Sequence, residues 1–189
     1  MKLPATQYQD RDVRISFLDS GQNGPRWYSE IGSDALNITD QRKPTMRLTW
    51  YTDTEYLAMK HNILHEFGHM LGALHEHCSP DFPFEWNCQA IYHDYEVYIR
   101  REIQRTGQSL TPSQITSRAQ QRANDDIIKK PNRHNLRCST FDDQSVMLYT
   151  IEKRWLQPNI SDYPPRRTLG KNYNLSYFDG ALTRILMGL

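Results

Sequence analysis

Near the start of the chain, apolar and polar residues alternate at two places. Val13, Ile15 and Phe17 alternate with Arg14 and Ser16, which predicts a strand over residues 12–18 with one buried face. Met46, Leu48 and Trp50 alternate with Arg47 and Thr49 and predict a second strand. The cluster Ser20-Gly21-Gln22-Asn23-Gly24-Pro25 between them reads as a turn. The period then lengthens. Tyr56, Met59, Ile63, Phe67 and Met70 recur at helical spacing, behind a cap at Asp53 or Thr54, and this stripe is expected to be core. Pro80 and Pro83 exclude a helix over residues 79–84. Ile91, Tyr95, Tyr98 or Ile99, and Ile103 then mark one face of a helix over residues 89–106.

Residues 107–143 are rich in Gln, Arg, Asn and Ser and poor in large apolar side chains. They predict one marginal helix over residues 117–129 and otherwise mobile polar chain. Ser176-Tyr177-Phe178-Asp179 reads as the capped start of a final helix, amphipathic through Leu182, Ile185 and Leu186. The chain has no internal repeat.

Composition narrows the classes of partner. At 189 residues the chain suits one domain. Its formal charge is +1, and the basic pairs Arg100-Arg101, Lys129-Lys130 and Arg166-Arg167 are scattered, so no nucleic-acid partner is expected. No apolar run approaches the roughly 18 residues of a membrane span, so no membrane partner is expected either. The opening residues, Met1-Lys2-Leu3-Pro4-Ala5-Thr6, lack the apolar core of a signal peptide.

The strongest chemical signal is His65-Glu66-Phe67-Gly68-His69-Met70-Leu71-Gly72-Ala73-Leu74-His75. On a helix, His65 and His69 project from one face a turn apart and can share one metal ion. Glu66 lies beside the first ligand, where it can serve as general base toward a water. Gly72 permits the abrupt helix end that returns His75 as third ligand. Three neutral nitrogen donors suit one catalytic Zn2+ with an open coordination position. At ordinary residue frequencies a chance match to five fixed positions, three of them histidine, is roughly one in 10^4 or rarer.

H-E-x-x-H-x-x-G-x-x-H is the pattern of the metzincin zinc endopeptidases, and with Glu76 after the third histidine the chain resembles the astacin family. Ser145-Val146-Met147-Leu148-Tyr149 is similar to that family's S-x-M-H-Y Met-turn, with Leu148 in place of the usual histidine. The segments Asp12 to Leu18, Trp27 to Gly32 and Pro44 to Trp50, and His75-Glu76-His77 running into Ser79-Pro80, resemble microbial and fungal astacin-like peptidases.

The resemblance implies an α+β metzincin-type fold, with an upper subdomain over residues 1–74, a lower one over 75–189, and a cleft between them. It implies that the strand at Met46 to Trp50 is the cleft's upper rim, an edge that holds extended peptide. Met147 would form a hydrophobic floor below the zinc, and the Tyr149 hydroxyl would ligate resting zinc or support the oxyanion. Glu66 would act as base toward a metal-activated water, and Glu76 would pair through solvent with a mature amino terminus.

The opening strand and long helix of such domains have no counterpart before Asp12, which marks a fragment or a trimmed core. By resemblance the protein is a secreted, monomeric zinc endopeptidase acting on protein or peptide substrates. The alternative is a catalytically inactive, zinc-containing binding domain.

The remaining histidines have blander expectations. His61, one turn before His65, is expected at the surface or supporting a ligand, and His77 is expected in solvent. His93 and His134 have no partner that the sequence names. Cys78, Cys88 and Cys138 cannot all pair internally; Cys78–Cys88, Cys78–Cys138, Cys88–Cys138 and three reduced thiols all remain open. Asn37, Asn159 and Asn174 head N-glycosylation sequons, which lend secretion slight support.

Overall fold

Burial of Met46 and Leu48 on either side of a half-buried Arg47 shows that the second alternating segment is a strand, β3 (Met46–Leu48). The computed structural model describes residues 11–17, 27–49, 56–131, 140–157, 168–170 and 172–187. In it β3 is the middle of three strands. β1 (Ile15–Ser16) runs parallel to it, with Ile15 opposite Met46, and β2 (Trp27–Ser29) runs antiparallel, with Trp27 opposite Leu48. This corrects the expectation that β3 forms an open edge. Both of its sides are paired, and among the described residues the edges of this sheet are β1 and β2. Burial of Thr45 and Thr49 agrees with a central position.

The first strand departs further from its pattern. Only Ile15 and Ser16 pair, and Val13, Ile15 and Phe17 form the exposed set. The reason is Arg14. Its guanidinium donates to the carbonyls of Lys43 (2.8 Å) and Ile38 (2.6 Å), which turns the polar set toward the loop before β3. The alternation was real, but a strand's period does not say which face is covered.

Helix α1 (Tyr56–Met70) bears out its expected stripe only in part: Met59 is buried and Ile63, Phe67 and Met70 are half-buried. Tyr56 and Leu57 are exposed, whereas Met59, His65, Glu66 and His69 are its buried residues. The histidines therefore lie on the covered face. The expected caps Asp53 and Thr54, together with Trp50, fall outside the described residues.

The chain divides into two compact units. One comprises Met1–Leu74, Ser145–Met147 and Asn172–Leu189; the other comprises His75–Gln144 and Leu148–Lys171. Besides the sheet and α1, the first contains α4 (Tyr177–Met187). Its predicted cap is present: Asp179 N donates to Ser176 Oγ (2.9 Å) and Ser176 N donates to Asp179 Oδ2 (2.9 Å).

The second unit is built on α2 (Cys88–Thr106) and α3 (Pro112–Ala123). α2 starts where Asn87 caps Ala90 N and stops at Gly107, whose positive φ reverses the chain. α3 begins earlier than the marginal helix expected at residue 117. Thr111 and Gln114 form a reciprocal capping box around Pro112 in the first turn. Ile115, Ala119 and Ala123 bury one face, and the two alanines permit close approach to α2. Residues 107–131 are thus largely ordered helix and turn, which corrects the expectation of mobile polar chain there.

A separate cluster of Phe82, Phe84, Leu148, Ile151, Leu156 and Leu169 lies around the hairpin-like pair β4 (Ile151–Glu152) and β5 (Thr168–Leu169). No helix among the described residues is long and apolar enough to cross a membrane. The architecture is α+β.

Candidate metal centre

The end of α1 decides where the third histidine of the motif goes. Gly72 has φ +99°, Ala73 N donates to Gly68 O (2.9 Å), and Gly72 N donates to His69 O (2.8 Å). These two bonds form a Schellman stop, which needs a left-handed residue where glycine stands. Three residues later the chain reaches His75. His65, His69 and His75 each offer a ligand atom, and those atoms lie within 4.8 Å of one another.

Hydrogen bonds at the far sides of two rings select the ligand tautomer. His65 Nδ1 meets the Val146 carbonyl at 3.0 Å, and His69 Nδ1 meets the Ala73 carbonyl at 2.8 Å. A carbonyl only accepts, so each Nδ1 carries the proton and each Nε2 keeps its lone pair for a metal. Burial lowers the pKa of His69, although its bond to Ala73 opposes this, and so favours the neutral form that binds metal. Glu66 is buried between these histidines in sequence, and its Oε2 has no hydrogen-bond partner. Burial pushes its pKa up to about 7. A divalent cation held by the three histidines would offset the cost of charging this carboxylate. The donor set therefore fits a metal ion.

Residues 145–147 pack against α1. A Cβ at Gly68 would fall 2.3 Å from Met147 Sδ, so the absence of a side chain at Gly68 is what lets Met147 pack against the helix. Ala73, Val146, Met147 and Leu64 form one apolar cluster. Asp179 holds the same segment from α4, accepting from Ser145 Oγ (2.7 Å) and Val146 N (2.9 Å). The Val146 carbonyl is the group that orients His65, so a carboxylate far along the chain braces a ligand through the backbone of one residue.

On the other side of the motif, His77 is fully buried, which corrects the expectation of a solvated residue. Its ring stacks on His75 (5.3 Å between centroids) and on Tyr149 (4.9 Å), and its Nε2 meets the Asp126 carbonyl at 3.0 Å. Burial pushes its pKa down to about 4, so the ring is neutral. The Tyr149 ring in turn packs on His75 with centroids 4.0 Å apart. Glu76 accepts from Asp142 N (2.9 Å), so this carboxylate braces the loop that leads to Ser145.

Gly170 backs Tyr149. It has φ +89°, and a Cβ there would lie 2.4 Å from the Tyr149 carbonyl oxygen. Both facts exclude a side chain. Gly170→Ala should cost about 1–3 kcal/mol through overpacking against backbone. Urea unfolding checks this, and an unchanged midpoint would show that the close approach carries no constraint.

The structure thus brings His65, His69 and His75 together, buries Glu66 on the same face of α1, and seats Tyr149 against His75. His61 is no member of the cluster; its Nδ1 meets the Asn172 carbonyl at 2.5 Å. Sequence reasoning missed Gly68, His77, Gly170 and the second task of Asp179. Of these only Asp179 left a signal, as a helix cap. Cys78 and Cys88 are free thiols, so the Cys78–Cys88 loop is not closed, and Cys138 and His134 lie outside the described residues.

No family model matches this sequence, and comparison with curated proteins finds no match. Solved structures do share the fold. A structure of myroilysin aligns with a TM-score of 0.69 at 23% identity, covering 93% of this chain and 72% of that one. A crystal structure of myroilysin aligns with a TM-score of 0.51 at 22% identity, covering 93% of this chain and 65% of that one. At such identities the likeness is one of fold.

Proposed function

We propose that this chain is a zinc-dependent endopeptidase of the metzincin, astacin-like type, secreted and monomeric, that hydrolyses peptide bonds in proteins. The observation that carries the reading is the His65, His69 and His75 cluster with a buried Glu66 beside its first ligand, its Oε2 without a hydrogen-bond partner. The H-E-x-x-H-x-x-G-x-x-H pattern and the fold shared with myroilysin support it. The exposed sequon residues Asn37 and Asn174 are compatible with secretion; Asn159 lies outside the described residues.

The three imidazoles would hold the zinc. When bound it supplies Lewis-acid polarisation of the attacking water and of the scissile carbonyl. Glu66 takes a proton from the water as it attacks and returns it to the leaving amine. Desolvation raises the pKa of Glu66 and a cation on the three histidines would lower it again, so the two effects oppose each other at the carboxylate that handles the proton. Tyr149, packed on the His75 ring, donates its hydroxyl to the developing oxyanion.

Whether the zinc-loaded chain cuts an unfolded protein tests the reading. Cleavage is expected, and a chain that holds zinc without cutting is the inactive binding domain.

The role of Tyr149 is separable. Tyr149→Phe should lower kcat roughly 10^2-fold with KM little changed, because one oxyanion donor is lost while ring packing persists. A folded, zinc-loaded Tyr149→Phe enzyme with unchanged kcat would leave Tyr149 a packing residue.

A further inference from the structure

His77 is a buried histidine that this chemistry leaves unused. The Asp126 carbonyl can only accept, so Nε2 of His77 carries the proton and Nδ1 keeps its lone pair. That Nδ1 is buried in a ring with no exposure and has no hydrogen-bond partner. An acceptor left this way costs free energy unless something occupies it. Next in sequence is Cys78, a half-buried free thiol. His75, His77 and Cys78 form a second group whose ligand atoms lie within 4.8 Å of one another.

We propose that His75, His77 and Cys78 form a second metal subsite, containing a thiolate, that takes a soft divalent cation and competes with the first site for His75. Two imidazoles and a thiolate are a donor set that soft cations prefer over hard ones. Donor atoms around one tetrahedral ion stand roughly 3.3–3.8 Å apart, from bond lengths of about 2.0–2.3 Å, so the group need close by no more than about 1.5 Å on binding. The thiol proton leaves to solvent as the sulfur ligates.

Ring orientation explains the competition. The His75 and His77 planes are only 18° apart, so their in-plane lone pairs cannot meet at one ion until a ring turns. His77 is held by Asp126 and enclosed by Tyr149 and Trp86. Tyr149 packs on both rings, and the bond to the Asp126 carbonyl is what fixes His77, so the turn is assigned to His75, which in turning leaves His65 and His69. The subsite stands on its own donors, whereas the competition rests on the zinc reading above.

The probe is Cd2+ added to the zinc-loaded full chain, with absorption, bound zinc and peptide hydrolysis followed together. The expected result is a thiolate-to-cadmium absorption band, with zinc content and hydrolysis falling as it grows. Cys78→Ser should lack the band and need at least about tenfold more cadmium to lose half of its own uninhibited rate. Cys78→Ala serves if the serine variant misfolds, and a Cys88→Ser, Cys138→Ser double variant should keep the band. No band, a band that persists without Cys78, or equal cadmium sensitivity in Cys78→Ser would overturn the proposal. Zinc content and hydrolysis before cadmium is added judge the peptidase reading separately. A chain that never cleaves peptide yet shows a Cys78-dependent band keeps the subsite and loses the peptidase.

Discussion

Glu66→Ala should retain its zinc and lose peptide hydrolysis by at least about 10^2–10^4-fold, the range for removing a positioned general acid–base. The expectation rests on where Glu66 stands. It neighbours His65 on α1, is buried, and leaves Oε2 without a hydrogen-bond partner. An oxygen with no structural bond is available for proton transfer. Glu66 is also no member of the three-histidine cluster, so metal content should survive. Stability should hold or rise, because an unpaired buried carboxylate is a cost to the fold. Zinc analysis beside initial rates decides the matter. Near-normal turnover in a zinc-loaded Glu66→Ala protein would end the proposed mechanism.

His65→Ala, His69→Ala and His75→Ala should each lose most of the roughly one zinc per chain expected of the wild type, because three ligands leave no redundancy. His61→Ala is the control. It lies one turn before His65, with ring centroids 5.7 Å apart, yet its Nδ1 is engaged with the Asn172 carbonyl. Metal content in this variant should stay close to wild type. Loss of zinc from His61→Ala but not from His75→Ala would show that the ligand set is wrongly assigned.

Local chemistry was readable wherever it is written in consecutive residues. The reversal at Gly72 follows from a glycine placed where a Schellman stop needs left-handed backbone. The Ser176 and Asp179 cap follows from residue types at the first and fourth positions of a box. The extent of α2 follows from the spacing of Ile91 and Ile99, both fully buried. The same kind of signal was present at Thr111-Pro112-Ser113-Gln114, where a capping box and an early proline open α3. The polar composition around it concealed that signal.

What could not be read depends on which other segment arrives. The histidines of α1 look like an uncovered face beside its apolar stripe until Val146 and Met147 pack there and bring them inside. The alternation at Val13, Ile15 and Phe17 points outward because Arg14 finds the carbonyls of Lys43 and Ile38. β3 looks like an edge until β1 is seen to pair on its second side. His77 looks like a surface residue until Asp126, Tyr149 and Trp86 enclose it. In each case the residue type allows both outcomes, and a partner distant in sequence decides between them.

The most direct test of the central claim is a chelator titration in which bound zinc and the rate of cleavage of an unfolded protein are read on the same samples. The account predicts that rate falls in proportion to zinc, reaches zero with the metal-free chain, and returns when one equivalent of zinc is restored. Cleavage that continues after the zinc is gone would contradict it.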